Sequence, residues 1–408
     1  MPQSIAAANT LRRAGAIAFL MVIQFFYAWA WSSVDVLRPA LRDSLGLSLV
    51  QAGAAYSVQV AGALLAALLI GQIEHLLGRR HVMAAATFGF GATLAAGALV
   101  PDWPTLLLQR FLLGWFAGAV FPLTIGTIVD LFSPALRGKL ASLIDATYFL
   151  AVIALGAAAA IAPSAEWRLV LIWGGVPPML FAAGVYLLVP SAIDEKAERR
   201  AKRGDVHVGR LFGNSLARRT VALAVMIGAS SSGAQAFSGW LTTYLAEVRA
   251  FNPDQIAFVL SCQFGASAAG AFVWGWVVDR VGRRAGAAGM LGAGGAIIAF
   301  LLLPLESDAI FAAAAAYGFC FSAVVSLGPW IAELYPPHLR SSATSIYQWG
   351  RFISLFSPLV TGSLAGFVGL AAAMGLGSLA FLIAGSIWLR LPETLAGNSQ
   401  PRPDSARS

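Results

Sequence analysis

Gly71-Gln72-Ile73-Glu74-His75-Leu76-Leu77-Gly78-Arg79-Arg80 is a short polar seam between long apolar runs. It returns 204 positions later as Gly275-Trp276-Val277-Val278-Asp279-Arg280-Val281-Gly282-Arg283-Arg284. A second pair follows: Ile128-Val129-Asp130-Leu131-Phe132-Ser133-Pro134-Ala135-Leu136-Arg137 is mirrored 203 positions on by Ile331-Ala332-Glu333-Leu334-Tyr335-Pro336-Pro337-His338-Leu339-Arg340. Two matching blocks at nearly one offset, in a chain of 408 residues, read as a duplicated unit.

The chain between the seams is unusually apolar. Hydrophobic residues make up 58% and charged ones 11%, and the mean hydropathy is +0.75. A soluble domain of this length carries roughly a quarter charged residues, so these proportions place the chain in lipid. Twelve apolar runs are long enough to cross the hydrocarbon as helices: 16–37, 52–70, 82–100, 105–129, 139–162, 168–189, 219–246, 256–274, 286–305, 309–332, 342–366 and 371–390. The expected fold is an all-α integral membrane protein, with twelve transmembrane helices in two six-helix halves at 1–190 and 218–395. A cytoplasmic linker at 191–217 joins the halves, and a disordered cytoplasmic tail occupies 396–408.

The net charge of +8 is a matter of topology. With an inside N-terminus, Arg38, Arg42, Arg168 and Arg249 fall outside, Arg110 and Arg351 fall within runs, and the other Lys and Arg all fall inside. This positive-inside bias places both termini in the cytoplasm of an inner-membrane protein and argues against a nucleic-acid partner. The first run reaches span length without a small-residue cleavage site, so it reads as the first span and not as a signal peptide. Cys262 and Cys320 both fall in runs and read as small packing residues.

No enzyme constellation appears. His75, His81, His207 and His338 lie in or beside cytoplasmic segments without metal spacing, and there is no phosphate-cradling Gly-Lys-Ser/Thr loop. No cofactor or metal is expected, and any transport would draw on a gradient.

The paired Gly-x-x-x-acid-x-x-Gly-Arg-Arg seams resemble the hallmark of the major facilitator superfamily. Arg110-Phe111-Leu112-Leu113-Gly114 resembles that family's buried-arginine segment, and Arg137-Gly138-Lys139 and Pro392-Glu393-Thr394 resemble its sugar-porter elements. Gly350-Arg351 with Pro358 and Gly362 is similar to what metabolite and aromatic-acid symporters carry. Two departures stand out. His75 occupies the acidic position of the first seam, with Glu74 displaced by one, which implies a weaker or pH-sensitive clasp. The first run also lacks the Asp-Gly-x-Asp element of aromatic-acid symporters.

The seams and their neighbours form the expected cytoplasmic gate: Gly71, Glu74, Gly78, Arg79, Arg80, Asp130 and Arg137 in one half, with Gly275, Asp279, Gly282, Arg283, Arg284, Glu333 and Arg340 in the other. Ionisable groups inside spans are costly and therefore candidates for function. Asp145 and Asp35 are the expected proton carriers. Asp35 can pair with Arg110 in the fourth run or with Arg38, three residues on, and Asp145 can instead serve as a structural hydrogen-bond partner. Arg351 lies near mid-membrane and suits a bidentate anion, or it neutralises Asp145 in a structural pair. Substrate contacts are expected from Arg351, Arg110, Gln348, Tyr148, Gln235, Tyr244 and Trp31, with Tyr27, Gln59 and Trp240 nearby.

These features imply a monomeric secondary carrier that moves a small organic anion with protons by alternating access. Export of a hydrophobic drug is the alternative, disfavoured because the fifth run lacks a Gly-Pro-x-x-Gly-Gly element. A non-transporting sensor of the same fold is the other.

Overall fold

The computed structural model describes residues 2–132, 134–162, 166–190, 211–213, 216–304, 308–336, 339, 343 and 346–395. Within these, the side chains of 2–13, 71, 129–130, 134–139, 141–142, 145, 332, 347–349 and 351 are not described.

The first set of helices is α1 (Pro2–Val36), α2 (Leu49–Leu77), α3 (Arg79–Ala96), α4 (Trp103–Leu131), α5 (Pro134–Ile161) and α6 (Trp167–Phe181). The second is α7 (Ala217–Phe237), α8 (Pro253–Arg280), α9 (Gly286–Leu302), α10 (Ala309–Phe321), α11 (Ile346–Ser354), α12 (Ser357–Val368) and α13 (Leu370–Arg390). Among the described residues, nine helices are long and apolar enough to cross a membrane. Three shorter apolar helices, Ala146–Ile161, Trp167–Phe181 and Phe352–Val368, occupy the expected fifth, sixth and eleventh runs.

The runs are less regular than hydropathy implied. The eleventh is broken between α11 and α12, where Pro358 opens the second piece because proline suits the first turn of a helix. The seventh ends as α7 at Phe237 and resumes as a short turn at Leu241–Thr243 and a π-helical turn at Tyr244–Val248. The sixth holds Pro177 and Pro178, stops at Phe181 and resumes at Gly184–Leu188.

The duplication extends to atomic detail. Ser48 and Gln51 close a capping box at the start of α2, and Asn252 and Gln255, each 204 positions later, close one at the start of α8. Gly78 directly follows α2 and Gly282 lies two residues past α8, at φ 80° and 130°, a backbone region that favours glycine. Gln59 and Gly114 meet between α2 and α4, where an ideal Cβ on Gly114 would stand 1.8 Å from the Gln59 carbonyl oxygen. Gln263 and Gly318 repeat that contact between α8 and α10 at 2.0 Å. Glycine there lets the backbones touch.

Within the first set α2 packs on α4, α1 on α5, and α3 on α6; within the second α8 packs on α10, α7 on α11, and α9 on α13. Across the boundary α5 packs on α8 and α12 on α2, so the two sets are related by a two-fold pattern with a central space between them.

Candidate functional site

A cavity of about 220 Å³ lies between the two sets. From the first set α1 contributes Trp31, Ser32 and Asp35, α2 contributes Tyr56, and α5 contributes Tyr148 and Phe149. Gln235 and Ser238 come from α7 and its end, Gln263 and Phe264 from α8, and Phe321 from α10. The Ser32 and Tyr148 hydroxyls lie 3.1 Å apart and tie α1 to α5. Trp31 stands edge-on to Tyr56 at 6.2 Å, and Phe149 meets Phe264 across the boundary at 6.3 Å.

Asp35 is the one charged side chain among the described residues that line this cavity, and two arginines stand behind it. Arg38 Nη2 donates to Asp35 Oδ1 at 2.6 Å, and the Arg38 guanidinium lies over the Trp240 ring of the second set at 4.4 Å. Arg38 is only 1% exposed, although the sequence places it outside the spans. Arg110 is wholly buried; its Nη1 donates to Ser33 Oγ at 2.9 Å and to Gln59 Oε1 at 3.5 Å. Gln59 is held in turn by donating to the Trp31 carbonyl at 3.1 Å. Of the two pairings open to Asp35, the hydrogen-bonded one is with Arg38, while Arg110 stays within electrostatic reach. Two guanidiniums therefore face one carboxylate. Arg38 Nε and Nη1 and Arg110 Nε and Nη2 find no hydrogen-bond acceptor among the described residues.

Of the side chains expected in the site, Trp31, Asp35, Tyr148 and Gln235 line this cavity together. Arg110 stands behind Ser33, outside the lining. Tyr244 is placed differently from the expectation. It is 2% exposed, packs on Phe300, and accepts a hydrogen bond from Arg249 Nε at 2.9 Å; Thr242 lines the cavity, and a helical residue two positions on points to nearly the opposite side. Asp145 lies on α5, and Gln348 and Arg351 lie on α11, but these three side chains fall outside the described residues.

At the end of the bundle remote from the arginine seams, the sets close on each other. Thr242 Oγ1 donates to the Asp35 carbonyl at 2.6 Å, Ser57 Oγ donates to the Leu355 carbonyl at 2.6 Å, and Arg42 pairs with Glu247. A Cβ on Gly53 would stand 2.3 Å from the Pro358 oxygen, and one on Gly362 would stand 2.5 Å from the Leu49 oxygen, so α2 and α12 meet backbone to backbone. Beyond this closure lies a larger pocket of about 640 Å³. Val36, Thr242 and Leu260 line both spaces and form the wall between them.

At the seam end, the described contacts stay within each set. Glu74 reaches the buried Arg79 at 2.5 Å, so the displaced acid makes the clasp while His75 is exposed. Arg80 donates to the Tyr186 carbonyl. In the second set Arg283 holds Asp279 at 2.5 Å and Glu333 at 2.6 Å, and Thr394 Oγ1 donates to Glu333 at 2.5 Å. The Glu393 carboxylate accepts the backbone N–H groups of Arg283 and Arg284, both at 2.9 Å, and sits where a Cβ on Gly282 would clash. Burial pushes the Glu333 carboxyl up, but hydrogen bonds from Arg283 and Thr394 outweigh it and hold the group below its ordinary value. The Glu393 carboxyl is held low in the same way by backbone N–H groups. Gly275 has open space around it. The side chains of Asp130 and Arg137, and the whole of Arg340, lie outside the described residues, and Gly71 is placed within α2.

The family model of the Major Facilitator Superfamily matches residues 20–253 and 223–408. The chain belongs to this superfamily. It is 26% identical over 380 residues to a gallate transporter of Pseudomonas putida, covering 85% of this chain and 84% of that one. The structure resembles an inward-open xylose transporter from E. coli with a TM-score of 0.70 at 17% identity, covering 93% of this chain and 97% of that one. It also resembles a bacterial homologue of the human lysosomal transporter Spinster, inward-facing and occupied, with a TM-score of 0.74 at 15% identity over 93% and 96% of the two chains. The fold is the major facilitator fold, and the chain is a multi-pass membrane transporter of small molecules.

Ser32, Tyr56, Ser238, Gln263 and Arg38 were not singled out from the sequence as site residues. For Gln263 a signal was present, since it stands 204 positions after Gln59, in register with the duplicated seams. Arg38 was legible only as a partner of Asp35, three residues before it, because hydropathy alone puts it past the end of the first run.

Proposed function

We propose that this major facilitator protein carries a small organic anion across the inner membrane by proton symport and alternating access. One observation carries the reading: Asp35 in the cavity wall is flanked by two buried guanidiniums, Arg38 and Arg110. With Asp35 ionised, one positive charge remains uncompensated; a proton on Asp35 leaves two, and the pull on an anion grows. Anion and proton then favour each other's binding, and by linkage the coupling is reciprocal. Arg351 and Asp145, borne on α11 and α5, are the second anion-binding and proton-carrying pair in this reading. The gallate transporter among the relatives supports an organic acid as cargo.

The seam end faces the cytoplasm by its basic charge, with both termini on that side. The closure at the remote end then corresponds to an inward-facing state, and residues 1–190 rock against 218–395 as a monomer to expose the cavity alternately. The test is uptake of a labelled carboxylate into proteoliposomes under an imposed inward proton gradient. Uptake should collapse when the gradient is dissipated, and Asp35→Asn should abolish accumulation while leaving exchange of labelled for unlabelled substrate. Accumulation by Asp35→Asn that still follows the gradient would refute the assignment of Asp35.

A further inference from the structure

The two glutamines at the duplicated position differ in what surrounds them. Gln59 has both ends of its amide engaged, donating to the Trp31 carbonyl and accepting from Arg110. Gln263 donates from Nε2 to Ser238 Oγ at 2.9 Å, and Ser238 donates on to Tyr317 Oη at 3.1 Å. The duplicate of Arg110, 204 positions on, is Ala314, so the guanidinium that engages the first glutamine's oxygen has no counterpart in the second. Gln263 is 2% exposed, lines the cavity, and its Oε1 has no hydrogen-bond partner among the described residues. Its backbone is pinned by the Gly318 contact, and its amide by Ser238. A buried acceptor without a donor is costly, so a ligand that supplies one gains affinity.

We infer that Gln263 selects the cargo by accepting a hydrogen bond from a ring hydroxyl, and that the cargo is a hydroxylated aromatic acid. Trp31, Tyr56 and Tyr148 from one set, with Phe264 and Phe321 from the other, bring aromatic faces and edges to the same small space, which favours a flat ring over a saturated one. The acid group is drawn by the two guanidiniums that stand behind Asp35, and the hydroxyl goes to Gln263 on the opposite set. A ligand that bridges the sets in this way couples its own recognition to their relative position. The inference rests on the organic-anion reading for the acid group, but the hydroxyl and ring contacts stand on their own geometry.

The experiment measures dissociation constants of the full-length protein in lipid nanodiscs for meta-hydroxybenzoate, benzoate, cyclohexanecarboxylate and meta-hydroxybenzyl alcohol. Meta-hydroxybenzoate should bind about tenfold more tightly than benzoate, the size expected when a buried acceptor gains its donor, and benzoate more tightly than its saturated analogue. In Gln263→Met the ratio between hydroxybenzoate and benzoate should fall towards one, and Ser238→Ala should move it the same way by releasing the amide. A ratio that persists in Gln263→Met overturns the assignment; if that variant does not fold, the ratio in Ser238→Ala decides. Equal binding of all three acids overturns the aromatic and hydroxyl contacts and leaves the anion reading standing. Binding of the alcohol that weakens in Gln263→Met, with no binding of any acid, supports Gln263 and overturns the anion reading.

Discussion

Thr242 Oγ1 donates to the backbone carbonyl of Asp35 at 2.6 Å, so a side chain of the second set holds the residue that carries the cavity's carboxylate. The same threonine lines the wall between the central cavity and the outer pocket. Closure at the remote end and the position of the Asp35 charge are therefore mechanically joined. Thr242→Val keeps the shape and removes the donor. A hydrogen bond of this kind contributes about 1 kcal/mol net, so the closed population should fall roughly fivefold relative to the open one. Distances between spin labels at the remote ends of α1 and α7 read this directly, and an unchanged distribution would disconnect Thr242 from closure.

Gly53→Val tests the closure more severely. A Cβ there stands 2.3 Å from the Pro358 oxygen, a backbone atom that cannot move without shifting α12. The variant should insert normally, fail to transport, and leave the remote end open to a membrane-impermeant thiol reagent at an introduced cysteine. Gly362→Val, which meets the Leu49 oxygen at 2.5 Å from the other side, should do the same. Transport at wild-type rate in either would mean that α2 and α12 need not meet during the cycle.

Arg38→Met removes the hydrogen-bonded partner of Asp35 and its stacking on Trp240. Breaking one side of a buried pair destabilises by ~3 kcal/mol, because the remaining charge stays in the interior. A proton on Asp35 relieves that charge, so the deficit in melting temperature should shrink in mildly acidic buffer and grow in alkaline buffer. A deficit independent of pH would show that Arg38 acts through packing alone.

The Glu333–Arg283–Glu393 network should loosen in acid. Both carboxyls sit below their ordinary value of 4.5 in the folded protein. Folding thus favours their ionised forms; the stability they add is complete above 4.5 and is lost as pH falls through the lower folded values. Limited proteolysis after Leu391 should accelerate over that acid range, and Glu393→Gln should show the faster cleavage already at neutral pH. Equal cleavage of variant and parent at neutral pH would remove Glu393 from the docking of this segment.

The duplicated seams, with glycines at Gly78 and Gly282 and apolar runs between them, made the bundle and its two-fold pattern legible in the sequence, because glycine, charge and span length are local constraints. Trp31, Asp35, Tyr148 and Gln235 were legible as polar or aromatic breaks in apolar runs, and the structure brings them to one cavity. Tyr244 looked the same by that criterion and lies elsewhere, since Thr242 takes the cavity face and a helical residue two positions on points away from it.

The partner of Asp35 was not legible. Arg38 and Arg110 were both at plausible reach in sequence, and only the packing of the short helix Arg38–Leu45 against Trp240 put one guanidinium in hydrogen-bond contact. The free oxygen of Gln263 was hidden for a similar reason: its meaning depends on Ser238, Tyr317 and Ala314 arriving from other helices. Periodicity, glycine placement and charge bias act along the chain, so the sequence by itself determined the helices, their repeat and the membrane setting. Hydrogen bonds and buried charges are settled by neighbours distant in sequence, and those only the tertiary structure decided.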